Sequence, residues 1–117
     1  MKFLIVRRPR IGGALVASSK TIRENKERAL DLVKQGRLDC VYGLAGGGGS
    51  VSIANADSLE QLHETIAGSP LFLSSEWDIR PLTDYAKYMD GVATALDLDE
   101  GMDLLAAPIR RRGDDGG

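Results

Sequence analysis

Between Ser50 and Thr83 the alternation of apolar and polar residues changes period twice. Val51 and Ile53 alternate with Ser50, Ser52 and Ala54, the period of two that predicts a strand with its Val51–Ile53 face on a core. Asp57 stands at a helix N-cap position with Glu60 three residues later, the spacing of a capping box. Leu59, Leu62, His63, Ile66 and Ala67 then follow at helical spacing and form one stripe. Gly68, expected in the left-handed conformation, ends that helix, and Pro70 keeps it from resuming. Trp77 and Ile79 alternate with Asp78 and Arg80 in a further strand that closes at Pro81. The stretch predicts strand, helix, turn and strand, with a cleft beside the helix.

The rest of the chain completes a symmetrical order. Lys2–Arg8 reads as a strand whose Phe3, Leu4, Ile5 and Val6 are apolar on both faces, and Pro9–Ser19, with Gly12 and Gly13, as a loop. Thr21–Gln35 reads as a helix stopped by Gly36. Its expected stripe is Ile22, Ala29 and Val33, flanked by Leu30 and Leu32; Lys26 falls on that stripe and Asn25 beside it. Leu38–Ala45 reads as a strand, and Gly46–Gly49 as the turn of a hairpin into the strand at Ser50. A phosphate cradle would need a helix after those glycines, and a strand follows.

The order β-α-β-β-α-β over residues 1–83 predicts an α+β fold, a ferredoxin-like plait with both helices on one face of the sheet. The other face is then bare. The doubly apolar strands imply that it is covered by sheet-to-sheet association, so a homo-oligomer, a dimer or higher, is expected. Residues 84–117 form a C-terminal extension. A helix is expected over 84–98, with Tyr85, Tyr88, Met89, Val92 and Leu96 at helical spacing, and a loose tail after it.

Composition removes several function classes. A net charge of −2 and a sequence pI near 5.3 speak against a nucleic-acid footprint. The Arg110–Arg112 cluster is followed at once by Asp114 and Asp115 and reads as a solvated tail. One cysteine, Cys40, and one histidine, His63, leave no disulfide and no ordinary zinc site. No apolar run is long enough for a membrane span, and Phe3–Val6 is too short for a signal-peptide core, so a cytoplasmic location is expected.

Groups able to move a proton are few in this chain, and such chemistry needs a base and a hydrogen-bond donor within reach of the reacting atoms. Lys26 on an apolar helix face is either a snorkelling side chain or a buried amine suited to that task. His63, as an imidazole, is the side-chain type made for proton transfer near neutral pH, or else a wall residue of the cleft. Tyr42 is placed to donate to an oxyanion or to fill a sheet interface. Arg7 at the end of the first strand either suits a substrate carboxylate or is an exposed arginine, Trp77 either lines the pocket or fills a core or interface, and Asn25 and Phe72 suit the pocket lining. Ser74 and Ser75 have no base beside them in sequence.

The pair Leu62-His63, the turn Ser69-Pro70-Leu71-Phe72, the closing Arg80-Pro81-Leu82, and the first-helix pieces Lys26–Ala29 and Lys34–Gly36 together resemble the muconolactone delta-isomerase family over about Phe3–Leu82. The resemblance implies a dimeric α+β barrel that oligomerises. It also implies a cofactor-independent isomerisation of an enol-lactone, with no metal. It breaks at Asn25, where the family carries an acidic residue, at Leu73-Ser74-Ser75, where the family continues Pro-Tyr, and at the long tail. The expectation is thus an isomerase or cyclase, such as one of secondary metabolism, acting on a small lactone or polyketide-like carbonyl substrate. Lys26, His63 and Tyr42 would be the catalytic groups, with Arg7, Asn25, Trp77 and Phe72 in the binding site. A cofactor-free monooxygenase on the same fold and a non-catalytic ligand-binding or assembly protein are the alternatives.

Overall fold

The computed structural model describes residues 1–10 and 18–105, with side chains described as far as residue 100. Most of the Pro9–Ser19 loop, the end of the tail and the Arg110–Arg112 cluster lie outside the described residues. The elements run β1 (Lys2–Pro9), α1 (Ser19–Lys34), β2 (Leu38–Gly43), β3 (Ser50–Asn55), α2 (Leu59–Ala67), β4 (Ser75–Leu82) and α3 (Tyr85–Leu105). The four strands form one sheet in the order β2-β3-β1-β4, and each neighbouring pair is antiparallel. This is the ferredoxin-like α+β arrangement that the element order predicts.

Strand register sorts the side chains into rows. On one face, Leu38, Ala54, Phe3 and Pro81 lie in a row, followed by Val41, Ser52, Ile5 and Ile79, and then by Gly43, Ser50, Arg7 and Trp77. The first two rows supply half of the core, where Phe3, Ile5, Leu38 and Ala54 join Leu32 of α1 and Leu62 and Ile66 of α2. Ala54 is wholly inaccessible, a small side chain at the tightest point. The opposite face carries Cys40, Ile53 and Leu4 in one row and Tyr42, Val51 and Val6 in the next. The expected orientation of β3 is therefore inverted: Ser52 and Ala54 face the helices, and Val51 and Ile53 face away. Alternation alone gives the period and not the side, and here the covered side has the smaller residues because helices press on it.

Asp39 is the extra residue of a bulge between Leu38 and Cys40, so that Leu38 points to the core while Cys40 points away. Its carboxylate accepts from Lys2 Nζ at 2.5 Å and from Asn55 Nδ2 at 2.6 Å. The β2–β3 turn depends on Gly49. Its φ of +118° suits glycine, and a Cβ there would lie 1.9 Å from the Arg7 carbonyl oxygen.

Helix caps differ in detail from the sequence pattern. Ser18 caps α1 by accepting from the Thr21 amide at 3.2 Å. For α2 the cap is Ser58, not Asp57. Ser58 Oγ accepts from the Gln61 amide at 3.1 Å, while Gln61 Oε1 accepts from the Asp57 amide at 2.6 Å. A Ser-x-x-Gln pair thus does the work expected of Asp57 and Glu60, one residue further on. Gly68 ends α2 at φ −74°, not in the left-handed conformation. Its lack of a side chain serves another purpose, since a Cβ would stand 2.5 Å from Nη2 of Arg28.

By internal contacts the chain divides into Met1–Leu82 and Thr83–Gly117. In the second unit α3 runs to Leu105, seven residues beyond the expected end. Asp84 starts it, its carboxylate accepting from the Lys87 amide at 3.0 Å. No described helix is long and apolar enough to cross a membrane.

Candidate active site

The third row of the helix-facing sheet surface is where the core gives way to polar chemistry. Arg7 stands in it between Ser50 of β3 and Trp77 of β4. Asn25, Arg28 and Ala29 of α1 and Thr65, Ile66 and Ser69 from α2 and its turn complete a cleft of about 60 Å³, with Ser52 and Ile5 at its inner end. Arg7 Nη1 donates to Ser75 Oγ at 3.0 Å, which fixes the guanidinium against β4. Its buried Nε has no hydrogen-bond partner among the described residues. Burial pushes the Arg7 pKa below the usual arginine value, which still leaves the group charged. Ser69 Oγ donates to Asn25 Oδ1 at 2.7 Å and accepts from the Leu71 amide at 3.1 Å. That pair ties the α2–β4 turn to α1. Among the described residues, no Asp, Glu, His or Lys lines this cleft.

A second hollow of about 320 Å³ adjoins it, sharing Ile66 and Trp77 as walls and otherwise lined by Leu59, Leu62, His63, Phe72 and Ile79. His63 stands edge-on to Phe72, and Phe72 lies tilted against Trp77, each pair with ring centroids 6.3 Å apart. Trp77 Nε1 donates to the Phe72 carbonyl at 3.1 Å, so the indole is held in place by the turn it covers. His63 itself is exposed at the rim of this hollow.

Of the expected site residues, Arg7, Asn25 and Trp77 meet in the polar cleft, and Phe72, Trp77 and His63 in the apolar hollow. Lys26 joins neither. The inward face of α1 is Asn25, Arg28, Ala29 and Leu32, while Ile22 and Leu30 are exposed, so the helix is turned away from the expected stripe. Lys26 follows Ile22 outward; its side chain is 64% exposed and pairs with Glu27 at 3.3 Å. In this orientation the polar ends of Asn25 and Arg28 reach Ser69 and Thr65. Tyr42 is also outside, 69% exposed on the face of β2 away from the helices. Lys26, His63 and Tyr42, expected as catalytic groups, are therefore not brought together within the chain. Arg28 and Thr65 were not singled out from sequence. An arginine beside an expected apolar stripe was the available signal.

The sequence profile of the muconolactone delta-isomerase family matches residues 6–88, from β1 into the first turn of α3. A crystal structure of muconolactone isomerase superposes with a TM-score of 0.64 at 22% identity, covering 73% of this chain and 91% of that one. The 5-chloro-2-hydroxyhydroquinone dehydrochlorinase of Burkholderia phenoliruptrix, in complex with 2,5-dihydroxybenzoquinone, gives a TM-score of 0.55 at 18% identity, covering 74% of this chain and 98% of that one. At these identities the two structures speak for the fold. A comparison with curated protein sequences finds no match. The family match spans most of the chain, from the second half of β1 through β2, β3, β4 and both plait helices, and the chain belongs to the muconolactone delta-isomerase family, among isomerase enzymes.

Proposed function

We propose that the protein is a cofactor-independent isomerase that shifts a proton next to the carbonyl of a small lactone or related carbonyl compound. The observation that carries this reading is Arg7, a guanidinium desolvated at the sheet end of a cleft, with one buried donor unspent. Such a group favours negative charge where it develops, on an enolate oxygen or a neighbouring carboxylate. A base takes the proton from the carbon beside the carbonyl, the electron pair moves onto oxygen, and reprotonation at the far carbon moves the double bond. In this reading Arg7 holds the oxyanion, Asn25 and Trp77 position the polar end, and Phe72 and Trp77 cover the apolar body. His63, at the rim of the adjoining hollow, carries the proton. Lys26 and Tyr42 have no part in it within one subunit.

Deuterium incorporation from solvent into enol-lactones and related carbonyl compounds, followed by NMR, tests the proposal. Exchange is expected with the wild type and is expected to fall sharply in both Arg7→Gln and His63→Gln. Exchange unaffected by either substitution overturns these assignments, and no exchange with any compound overturns the reaction class.

We also propose self-association through the sheet face that no helix of Met1–Leu82 covers. Leu4, Val6, Val51 and Ile53 lie there only half-buried, beside the exposed Tyr42. An apolar, strand-rich surface of this kind is better suited to a second sheet than to water.

A further inference from the structure

Arg28 and Arg37 are brought together by a single residue of the opposite helix. Arg28 Nη2 donates to the Thr65 carbonyl at 2.7 Å, and Arg37 Nη2 donates to the Thr65 hydroxyl at 2.6 Å. Thr65 is buried and its hydroxyl donates in turn to the Gln61 carbonyl at 3.2 Å, so the threonine is a fixed anchor. The arrangement is also built around Arg28, because the absent side chain of Gly68 leaves room for the guanidinium.

Two cations held this close repel one another. The charge of Arg37 adds to burial in pushing the Arg28 pKa down. Yet among the described residues neither arginine forms an ion pair and the buried Arg37 Nε has no hydrogen-bond partner. A cavity of about 680 Å³ opens beside them, lined also by Lys20, Arg23, Glu24, Glu27, Asp31, Leu32 and Gln35. Its acids do not neutralise the pair. Glu24 is near Lys20 at 3.9 Å and Glu27 is bound to Lys26 at 3.3 Å, while Asp31 makes no ion pair with either arginine.

We propose that Arg28 and Arg37 form an oxyanion site that shares Arg28 with the polar cleft and takes a phosphate or carboxylate group of a small metabolite. Each guanidinium has five N–H donors in a planar fork, and oxygen-rich anions match that fork with paired hydrogen bonds. An anion between them relieves their repulsion and joins α1, the start of β2 and α2 through one ligand. Arg28 also lines the polar cleft, so occupancy of this site sets the position of one cleft wall. Arg37 lines the outer cavity alone, which separates the two sites in a test.

Inorganic phosphate, sulfate and citrate are titrated into the full chain at constant ionic strength, following backbone amides by NMR and thermal midpoint in parallel. Saturable shifts at Arg28, Arg37 and Thr65 and a raised midpoint are expected. Citrate above phosphate would assign a carboxylate ligand, and the reverse order a phosphate. Arg37→Gln is expected to weaken binding roughly tenfold or more, as a charge-assisted fork is lost, while proton exchange in the cleft stays intact. Gly68→Ala displaces Arg28 without removing charge and is expected to weaken binding as well. Shifts confined to Lys20 and Arg23, or binding unchanged in both variants, overturn the proposal.

Discussion

The two faces of the sheet use the same strands for opposite ends. Toward the helices, residues pass within each strand from Phe3 and Ala54 to Arg7 and Ser50, from dry core to polar cleft. Away from the helices, Leu4, Val6, Val51 and Ile53 stay apolar throughout, with a polar rim at one end where Lys2, Asp39 and Asn55 meet. Core and polar cleft therefore share one face and are separated along the strand, while no helix of Met1–Leu82 covers the other face. The difference teaches that burial in the single chain does not follow hydrophobicity. Ser52 is buried under helices, and Ile53 next to it is not.

Several substitutions would break or sharpen that contrast. The largest effect is expected at His63, where replacement by Gln should lower proton-transfer rate roughly 10²–10⁴-fold, the usual worth of a general acid-base group. Circular dichroism should show the fold intact, because the side chain is exposed. Next, Phe3→Ala should cost about 3–5 kcal/mol in urea unfolding, as a cavity opens in the covered core, whereas Val6→Ala on the other face should cost clearly less at protein concentrations where the chain is a monomer. Equal costs would mean that the two faces are packed alike. At the hairpin, Gly49→Ala should destabilise by about 1–3 kcal/mol from backbone strain alone, with the clash at the Arg7 carbonyl added. Ile53→Lys should leave the monomer folded and lower the apparent mass in analytical ultracentrifugation; an unchanged mass removes this face as the interface.

The smallest effect concerns the polar rim. Hydrogen bonds from Lys2 and Asn55 hold the Asp39 carboxyl below its usual range. A depressed folded-state value means that this contribution is present above the unfolded-state pKa, about 3.9, and is lost as pH falls through the lower folded-state value. Asp39→Asn should accordingly reduce the difference in stability between neutral and strongly acid pH, by a small amount because the pair is exposed. No change in that difference would show the rim to be energetically silent.

Element order, strand limits within a residue or two and the family itself were legible in the chain, because periodicity, caps and turn glycines are local signals. The C-terminal helix was legible in kind but not in length, for lack of a stop signal that sequence spacing could supply. Of the candidate binding residues read from the sequence, Arg7, Asn25 and Trp77 line one cleft, from a strand end, a helix face and a neighbouring strand.

What sequence spacing could not supply was rotation and side. Whether Val51 or Ser52 faces the helices, and whether α1 turns Lys26 or Arg28 inward, depends on partners far away in the chain. The Asn25–Ser69 and Arg28–Thr65 bonds span 44 and 37 residues, and their geometry exists only once the helices lie on the sheet. Period is a property of the local backbone and is written into the sequence. Orientation is a choice between faces of similar hydrophobicity, and long-range packing and hydrogen bonding decide it.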